Sequence, residues 1–259
     1  MEVMGVDVGG SGIKAALVNP ETGELVTERL RANSPAFLST KEVIEAILEL
    51  RKQLRYDGPM GVGFPAVVVH GKVLTPPTAL AFPGWDDYDL AKKLAKAADC
   101  PTTVINDADA ACLAEMEFGA GKDENGVVMV FTFGTGIGSG IFLDSHLTPN
   151  SELGRLYMRD SKKTAEQKFS DRARQAKKLS WQEWGKRLND YFQYIELLFS
   201  PELIIIGGGV SKKHEKFIPF IKTRARVLPA AFRNEAGIVG AAMAAVGADK
   251  AEPWPLISP

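Results

Sequence analysis

Cysteine is scarce, with Cys100 and Cys112 the only two in 259 residues. That count excludes a disulfide framework and a cysteine-rich zinc site, so no structural zinc is expected and both thiols should be reduced and partly buried. Histidine is nearly as rare, and His70, His146 and His214 are too scattered to suggest a metal site. Residues Met1 to Val6 lack a basic stretch ahead of an apolar one, so a secretory signal is not expected. No apolar run approaches membrane-spanning length, which makes cytoplasm the expected location and a membrane an unexpected partner. An excess of one charge is also lacking: 31 Lys and Arg meet 32 Asp and Glu. The chain as a whole is therefore not drawn to nucleic acid by charge.

Glycine, by contrast, is plentiful and patterned. The apolar run Val127 to Phe133 has strand length, and Gly134, Gly136, Gly138 and Gly140 follow it at every second position. Glycine lets backbone approach a ligand closely, and a strand running into such a turn can aim N–H groups and hydroxyls at phosphate. A plain hairpin would use the same residues. An earlier stretch repeats the design: Val6-Asp7-Val8-Gly9-Gly10-Ser11-Gly12-Ile13-Lys14 reads as strand, glycine turn with a hydroxyl, then strand. The half-chain separation of the two turns suggests a duplicated lobe architecture.

In chain order, Val3 to Val8, Ile13 to Val18 and a third strand near Leu25 to Arg29 predict an antiparallel meander, with Asn19 to Gly23 as turn. Ser39 and Glu42 form a capping-box pattern ahead of Val43, Ile47, Leu50 and Leu54 at helical spacing. Met60 to Phe64 predicts a strand ending at Pro65, and Val67 to Val69 with Lys72 to Leu74 a hairpin. A Pro-containing loop spans Thr75 to Trp85, and Leu90, Leu94 and Ala97 mark a short helix. Thr103 to Ile105 predicts a buried strand that delivers Asn106-Asp107 at its C-terminal end, where α/β sheets bind ligands. Asp107 is placed there either for chemistry or to cap the helix Ala108 to Phe118.

From Arg155 to Arg187, eleven Lys or Arg stand against four Asp or Glu. The run is either a solvated helix face or an anion-binding patch. The helix from Ser180 carries Trp181, Trp184, Leu188, Tyr191, Phe192, Ile195 and Phe199 at helical spacing, a core stripe. Leu203 to Ile206 predicts a buried strand that leads through Gly207-Gly208-Gly209 to a helix around Ser211 to Ile221. That third glycine turn offers amides and a helix start to a nucleotide. Ala236 to Val246 predicts a small-residue helix, followed by an irregular tail over 247–259.

Together these residues resemble the ROK family of sugar kinases, within the actin-like ATPase (ribonuclease H-like) fold, and most of all its polyphosphate glucokinase branch. Asp7 to Lys14 is similar to the family's first phosphate loop, Asn106 to Ala111 to its catalytic segment, and Thr132 to Gly138 to its second phosphate loop. Gly207 to Ser211 resembles its nucleotide-side glycines and Asn234 to Ala242 its closing helix. The resemblance implies two α/β lobes around a cleft, 1–108 and 109–246, the second including the closing helix 236–246. It implies Asp107 as general base for a hexose 6-hydroxyl, with Asn106, Glu152, Arg155, Gly63 and Pro65 on the sugar side. Asp7, Gly9, Gly10, Ser11, Gly12, Lys14, Thr132, Gly134, Thr135 and Gly136 would face the phosphates, and Gly207, Gly208 and Gly209 a nucleotide. Magnesium is the implied cofactor, with no protein metal site assigned. Polyphosphate or ATP is the implied donor and a homodimer the implied assembly. The family's zinc motif is missing, as is the DNA-binding region of its regulatory members, so no nucleic-acid partner is expected.

The sugar side departs from the family pattern. Glu152-Leu153-Gly154-Arg155 has arginine where the family has histidine, Tyr157 stands where the branch usually has glutamate, and Ala81 where relatives often have asparagine. A site built to hydrogen-bond hydroxyls discriminates steeply, so these changes bear on which hexose is accepted. Two readings follow: a kinase for glucose or a differently arranged hexose, or a sugar- or polyphosphate-binding sensor without useful turnover.

Overall fold

The computed structural model describes residues 2–9, 12–32, 39–75, 84–159, 161–232 and 235–248. The expected features at Gly10, Ser11, Ala81, Asn234 and the 249–259 tail lie outside these residues. The contacts divide the chain into two compact units. One runs to Ala111 and resumes at Gly237; the other is Cys112–Ala236.

The first unit is built on a five-stranded sheet. Strands β1 (Val3–Gly9) and β2 (Gly12–Val18) form the expected hairpin, and β3 (Leu30–Ala32) completes the meander. The third strand thus lies later than the expected Leu25 to Arg29. The Thr27 Oγ1 accepts the Leu17 N–H at 3.0 Å where a backbone carbonyl would, so the ladder resumes only at Leu30. Helix α1 (Thr40–Gln53) opens with the Ser39–Glu42 capping box and buries Val43, Ile47 and Leu50. Strand β4 (Met60–Phe64) then pairs parallel with β1. The small hairpin β5 (Val68–Val69) and β6 (Lys72–Val73) is joined by β7 (Tyr88–Asp89). Helix α2 (Leu90–Ala98) stops at the left-handed Asp99, before Pro101. Strand β8 (Thr102–Asn106) adds parallel to β4 and delivers α3 (Asp107–Phe118), giving the order β3-β2-β1-β4-β8.

The second unit repeats this plan. Strands β9 (Val127–Phe133), β10 (Ile137–Leu143) and β11 (His146–Thr148) form a meander. Strands β12 (Leu203–Gly207) and β13 (Arg226–Pro229) extend it in parallel, in the order β11-β10-β9-β12-β13. The duplication suggested by the two glycine turns is therefore present in the sheet topology. Between β11 and β12 lie α4 (Ala165–Phe169), α5 (Asp171–Ala176) and α6 (Trp181–Phe199). Helix α6 opens with the Ser180–Glu183 capping box and buries Trp184, Leu188, Tyr191, Phe192 and Ile195. Their rings pack against Phe131, Phe133 and Phe217, so the aromatic stripe is core.

Two features differ from expectation. The segment after Gly208 is not one helix but 3₁₀ turns over Gly209–Lys216 and Ile218–Phe220. The break sits at Phe217, whose backbone leaves helical geometry while its ring is buried against Trp184. The last helix, α7 (Ala236–Ala248), was expected within the 109–246 lobe and packing back between the two, and from Gly237 onward it groups with the first unit. Its backbone lies against β4 and the start of α3: a Cβ at Gly61 would strike the Ala241 carbonyl, and one at Gly240 the Ala110 carbonyl. The small residues read from the sequence make that approach possible. No helix among the described residues is long and apolar enough to cross a membrane.

Candidate functional site

In the first unit, β1, β4 and β8 are parallel and in register, so their C-terminal ends come together. Asp7 pairs with Gly63 across β1 and β4, and Phe64 with Asn106 across β4 and β8. Asp7 is also directly opposite Lys14 on β2, and Lys14 Nζ donates to Asp7 Oδ2 at 2.9 Å. Both side chains are about one-fifth exposed, enough shelter for the pair to be firmer than a free surface ion pair. The first turn of α7 faces the same carboxylate, since a Cβ at Gly237 would lie 3.1 Å from Asp7 Cγ.

Asn106 and Asp107 divide the work at the β8–α3 junction. Asn106 is buried, and its Oδ1 accepts the Ala108 N–H at 2.8 Å and the Asp109 N–H at 3.1 Å. Its Nδ2 donates to the Ala66 carbonyl at 2.9 Å. Asn106 is thus the helix cap, and it ties α3 to the segment after Pro65. The sequence left Asp107 for chemistry or for that cap, and the resemblance put Asn106 on the sugar. Asp107 occupies the first helical position, half-buried, with Oδ1 accepting the adjacent Ala108 N–H at 2.8 Å. Gly63 is buried directly beneath it, where a Cβ would lie 3.5 Å from Asp107 Cα and 3.3 Å from Ala110 Cβ. Gly63 therefore acts on position 107 through packing, while Pro65 is half-buried beside it.

In the second unit, the β9–β10 turn projects Gly134 and Thr135 into solvent. It is closed by the Gly134 N–H donating to the Gly136 carbonyl at 3.1 Å, and the Gly134 carbonyl accepts the Arg172 N–H at 3.1 Å. Thr132 lies opposite Gly207 at the end of β12. Gly208 has φ +80°, a conformation that favours glycine, and a Cβ there would lie 2.8 Å from the Phe133 nitrogen. Gly208 and Gly209 are exposed at the C-terminal end of β12, the usual ligand end of a parallel pair.

The segment carrying Glu152 and Arg155 is held against β10. Ser139 Oγ donates to the Ser151 carbonyl and accepts the Leu153 N–H at 3.0 Å. Tyr191 Oη, from the core of α6, donates to the Leu153 carbonyl at 3.2 Å. A Cβ on Gly154 would collide with the Ile137 carbonyl, so the short 3₁₀ turn sits flush on the strand that begins at the Gly134–Gly136 turn. The resemblance put Arg155 on the sugar side. Its Nε pairs with Glu152 Oε2 at 3.1 Å, both groups partly exposed. A histidine could not span the pair with a permanent charge; arginine can.

Glu115 was missed in the sequence. Buried on α3, it accepts three backbone N–H groups: Ala120 at 3.1 Å, Ala231 at 3.0 Å and Phe232 at 2.7 Å. Burial pushes its carboxyl above the usual range despite those donors. Two of its three partners lie more than a hundred residues away, so the local sequence does not mark the cluster.

Comparison with known proteins bears on this arrangement. The sequence profile described as the ROK family matches residues 3–154. A polyphosphate glucokinase of Mycobacterium tuberculosis is 39% identical over 93% of this chain and 90% of that protein. The crystal structure of an inorganic polyphosphate/ATP-glucomannokinase from Arthrobacter sp. strain KM is 41% identical and covers 95% of this chain and 98% of its own, with TM-score 0.85. A ROK family glucokinase from Streptomyces griseus, solved with glucose and AMPPNP, shares the fold at 24% identity, 95% and 99% coverage and TM-score 0.78.

Proposed function

The chain belongs to the ROK family, with its actin-like ATPase fold, and from that premise we propose that it is a kinase moving a phosphoryl group from inorganic polyphosphate or ATP to a hydroxyl of glucose or a close hexose. The observation that carries the chemistry is the division of labour at the end of β8. Asn106 Oδ1 accepts the Asp109 amide and shares the Ala108 amide with Asp107 Oδ1, so the helix start does not rest on Asp107 alone. Asp107 takes the proton from the sugar hydroxyl as that oxygen attacks the terminal phosphorus of the donor. The bond from phosphorus to the bridging oxygen breaks, and the shortened polyphosphate or ADP leaves.

Phosphoryl transfer asks the protein mainly for positioning and charge stabilisation. The Gly134–Gly136 turn with Thr132 and Thr135, and the first glycine turn with Lys14, supply donors to phosphate oxygens; Gly207 to Gly209 serve a nucleotide. Magnesium, when bound with the donor, neutralises phosphate charge, and it is commonly held by one or two carboxylates together with substrate phosphates. Asp7, at the end of β1 beside Lys14, fits that sparse requirement. Glu152 accepts from ring hydroxyls, and Arg155 fixes its orientation through their ion pair.

That pair favours one variation on the reading, an acceptor range set by Arg155 that differs from a strict glucokinase. The same family reading takes the protein as a cytoplasmic homodimer. Leu197 and Leu198, 62% and 47% exposed on α6, are among the exposed apolar groups of the described residues that such a contact could cover. Asp107→Asn tests the chemistry: turnover falls by roughly 10²–10⁴, the usual contribution of a positioned base, at unchanged melting temperature. Undiminished turnover in a folded variant would overturn the assignment.

A further inference from the structure

Residues 161–187 carry nine Lys or Arg against three Asp or Glu, in a chain whose formal charge is −1. The positive surplus is therefore concentrated in one stretch, and the remainder of the chain is net acidic. This stretch folds into α4, α5 and the start of α6. Two of its three acids are engaged locally. Asp171 accepts from Arg174 Nε at 2.7 Å and from Gln175 Nε2 at 2.6 Å, and Glu183 accepts from the Ser180 N–H and hydroxyl at the α6 cap.

The cations are outward. Lys163, Lys177 and Arg187 are exposed, and Lys168 lies over the Phe169 ring with its ammonium 5.4 Å from the centroid. Lys163 precedes α4 and Lys168 lies in it, Lys177 follows α5, and Arg187 lies in α6. Partial desolvation lowers the Lys177 pKa first, and the charges of Arg187, Lys163 and Lys168 lower it further. A cluster of like charges repels itself in the free protein and is relieved when a polyanion lies across it.

The patch is continuous with the Gly134–Gly136 turn. The Arg172 N–H, in the first turn of α5, donates to the Gly134 carbonyl at 3.1 Å, and the Glu166 carboxylate of α4 borders Gly136.

We propose that Lys163, Lys168, Lys177 and Arg187 hold the length of a polyphosphate chain beyond the residues at the glycine turn, so that long chains bind more tightly than short ones. The assignment of polyphosphate as the ligand rests on the kinase reading above, but binding can be measured without turnover. The experiment is equilibrium binding of long-chain polyphosphate and of tripolyphosphate to the full chain, without sugar, over a salt series. The variants are K163Q/K168Q/K177Q/R187Q and a charge-matched control, K52Q/K92Q/K93Q/K96Q, on exposed positions of α1 and α2. Each phosphate contact contributes about 0.7 to the slope of log K against log salt for a flexible polyanion, so the four-site variant should flatten that slope by about 3. Tripolyphosphate binding and the control variant should be unaffected, and melting temperatures should match the parent. Equal loss in the control, equal affinity of the parent for both chain lengths, or a single-stranded oligonucleotide of matched charge competing as well as polyphosphate would each overturn the proposal. Intact, patch-dependent binding in a protein without kinase turnover would instead overturn the kinase reading alone.

Discussion

Gly154→Ala tests whether the Glu152–Arg155 segment is positioned as described. The added Cβ would overlap the Ile137 carbonyl oxygen and lie 3.2 Å from its carbon, and both sides of that clash are backbone. The segment cannot yield freely, because Leu153 is tied by its N–H to Ser139 Oγ at 3.0 Å and by its carbonyl to Tyr191 Oη at 3.2 Å. Relief requires lifting the 3₁₀ turn off β10 and losing one or both bonds. Overpacking typically costs ~1–3 kcal/mol and each lost hydrogen bond ~0.5–1.5 kcal/mol, so the total should be about 2–4 kcal/mol. In a chain of this size that lowers Tm by roughly 5–10 °C. Functionally, the sugar KM should rise by about tenfold or more while the donor KM holds, a split read from initial rates with each substrate varied in turn. Tyr191→Phe, which removes one hydroxyl and keeps the ring, should show a milder version of the same split. An unchanged Tm with an unchanged sugar KM in Gly154→Ala would refute the reasoning.

Other outcomes follow from the same geometry. Arg155→Gln releases the Glu152 carboxylate; the ratio of kcat/KM among hexoses should change several-fold, measured across an acceptor panel, while Tm moves by less than ~1 kcal/mol equivalent, as expected for a partly exposed pair. Lys14→Met removes the partner of Asp7 and should raise the donor KM more than the sugar KM in steady-state rates. Glu115→Gln leaves one or more of three part-buried N–H groups facing an amide NH₂, and chemical denaturation should show a loss of about 1–3 kcal/mol. That substitution should also change the pH dependence. With its folded pKa raised above the unfolded one, Glu115 binds more protons in the folded state, so its contribution to stability falls as pH rises from the ordinary glutamate range through the raised value. The parent should therefore lose stability across that window more steeply than Glu115→Gln.

Much of this was legible in the sequence where the determinants are local. The capping box at Ser39 marked the start of α1, the aromatic stripe from Ser180 marked α6, and the glycine spacing marked the β9–β10 turn. Elements created by distant partners were not legible. Strand β13 ends in a proline and exists through its parallel pairing with β12, and α7 joins the first unit because Gly61 and Gly240 admit its backbone. The roles of Asn106 and Asp107 could not be separated from residue types alone, since either side chain can cap a helix. The Asp109 N–H, accepted by Asn106 Oδ1, marks Asn106 as the cap. Arg155 departed visibly from the family pattern, but its Glu152 partner three residues earlier became apparent only from the 3₁₀ turn that brings the two together.

The most direct test of the central claim is an initial-rate matrix with magnesium, crossing polyphosphate and ATP against glucose, mannose, fructose, glucosamine and N-acetylated sugars, with Asp107→Asn as the blank. The account predicts turnover of glucose or a close hexose with polyphosphate, with ATP, or with both, lost in the blank. A folded protein that binds sugar and polyphosphate yet turns over no pair in the matrix would contradict it.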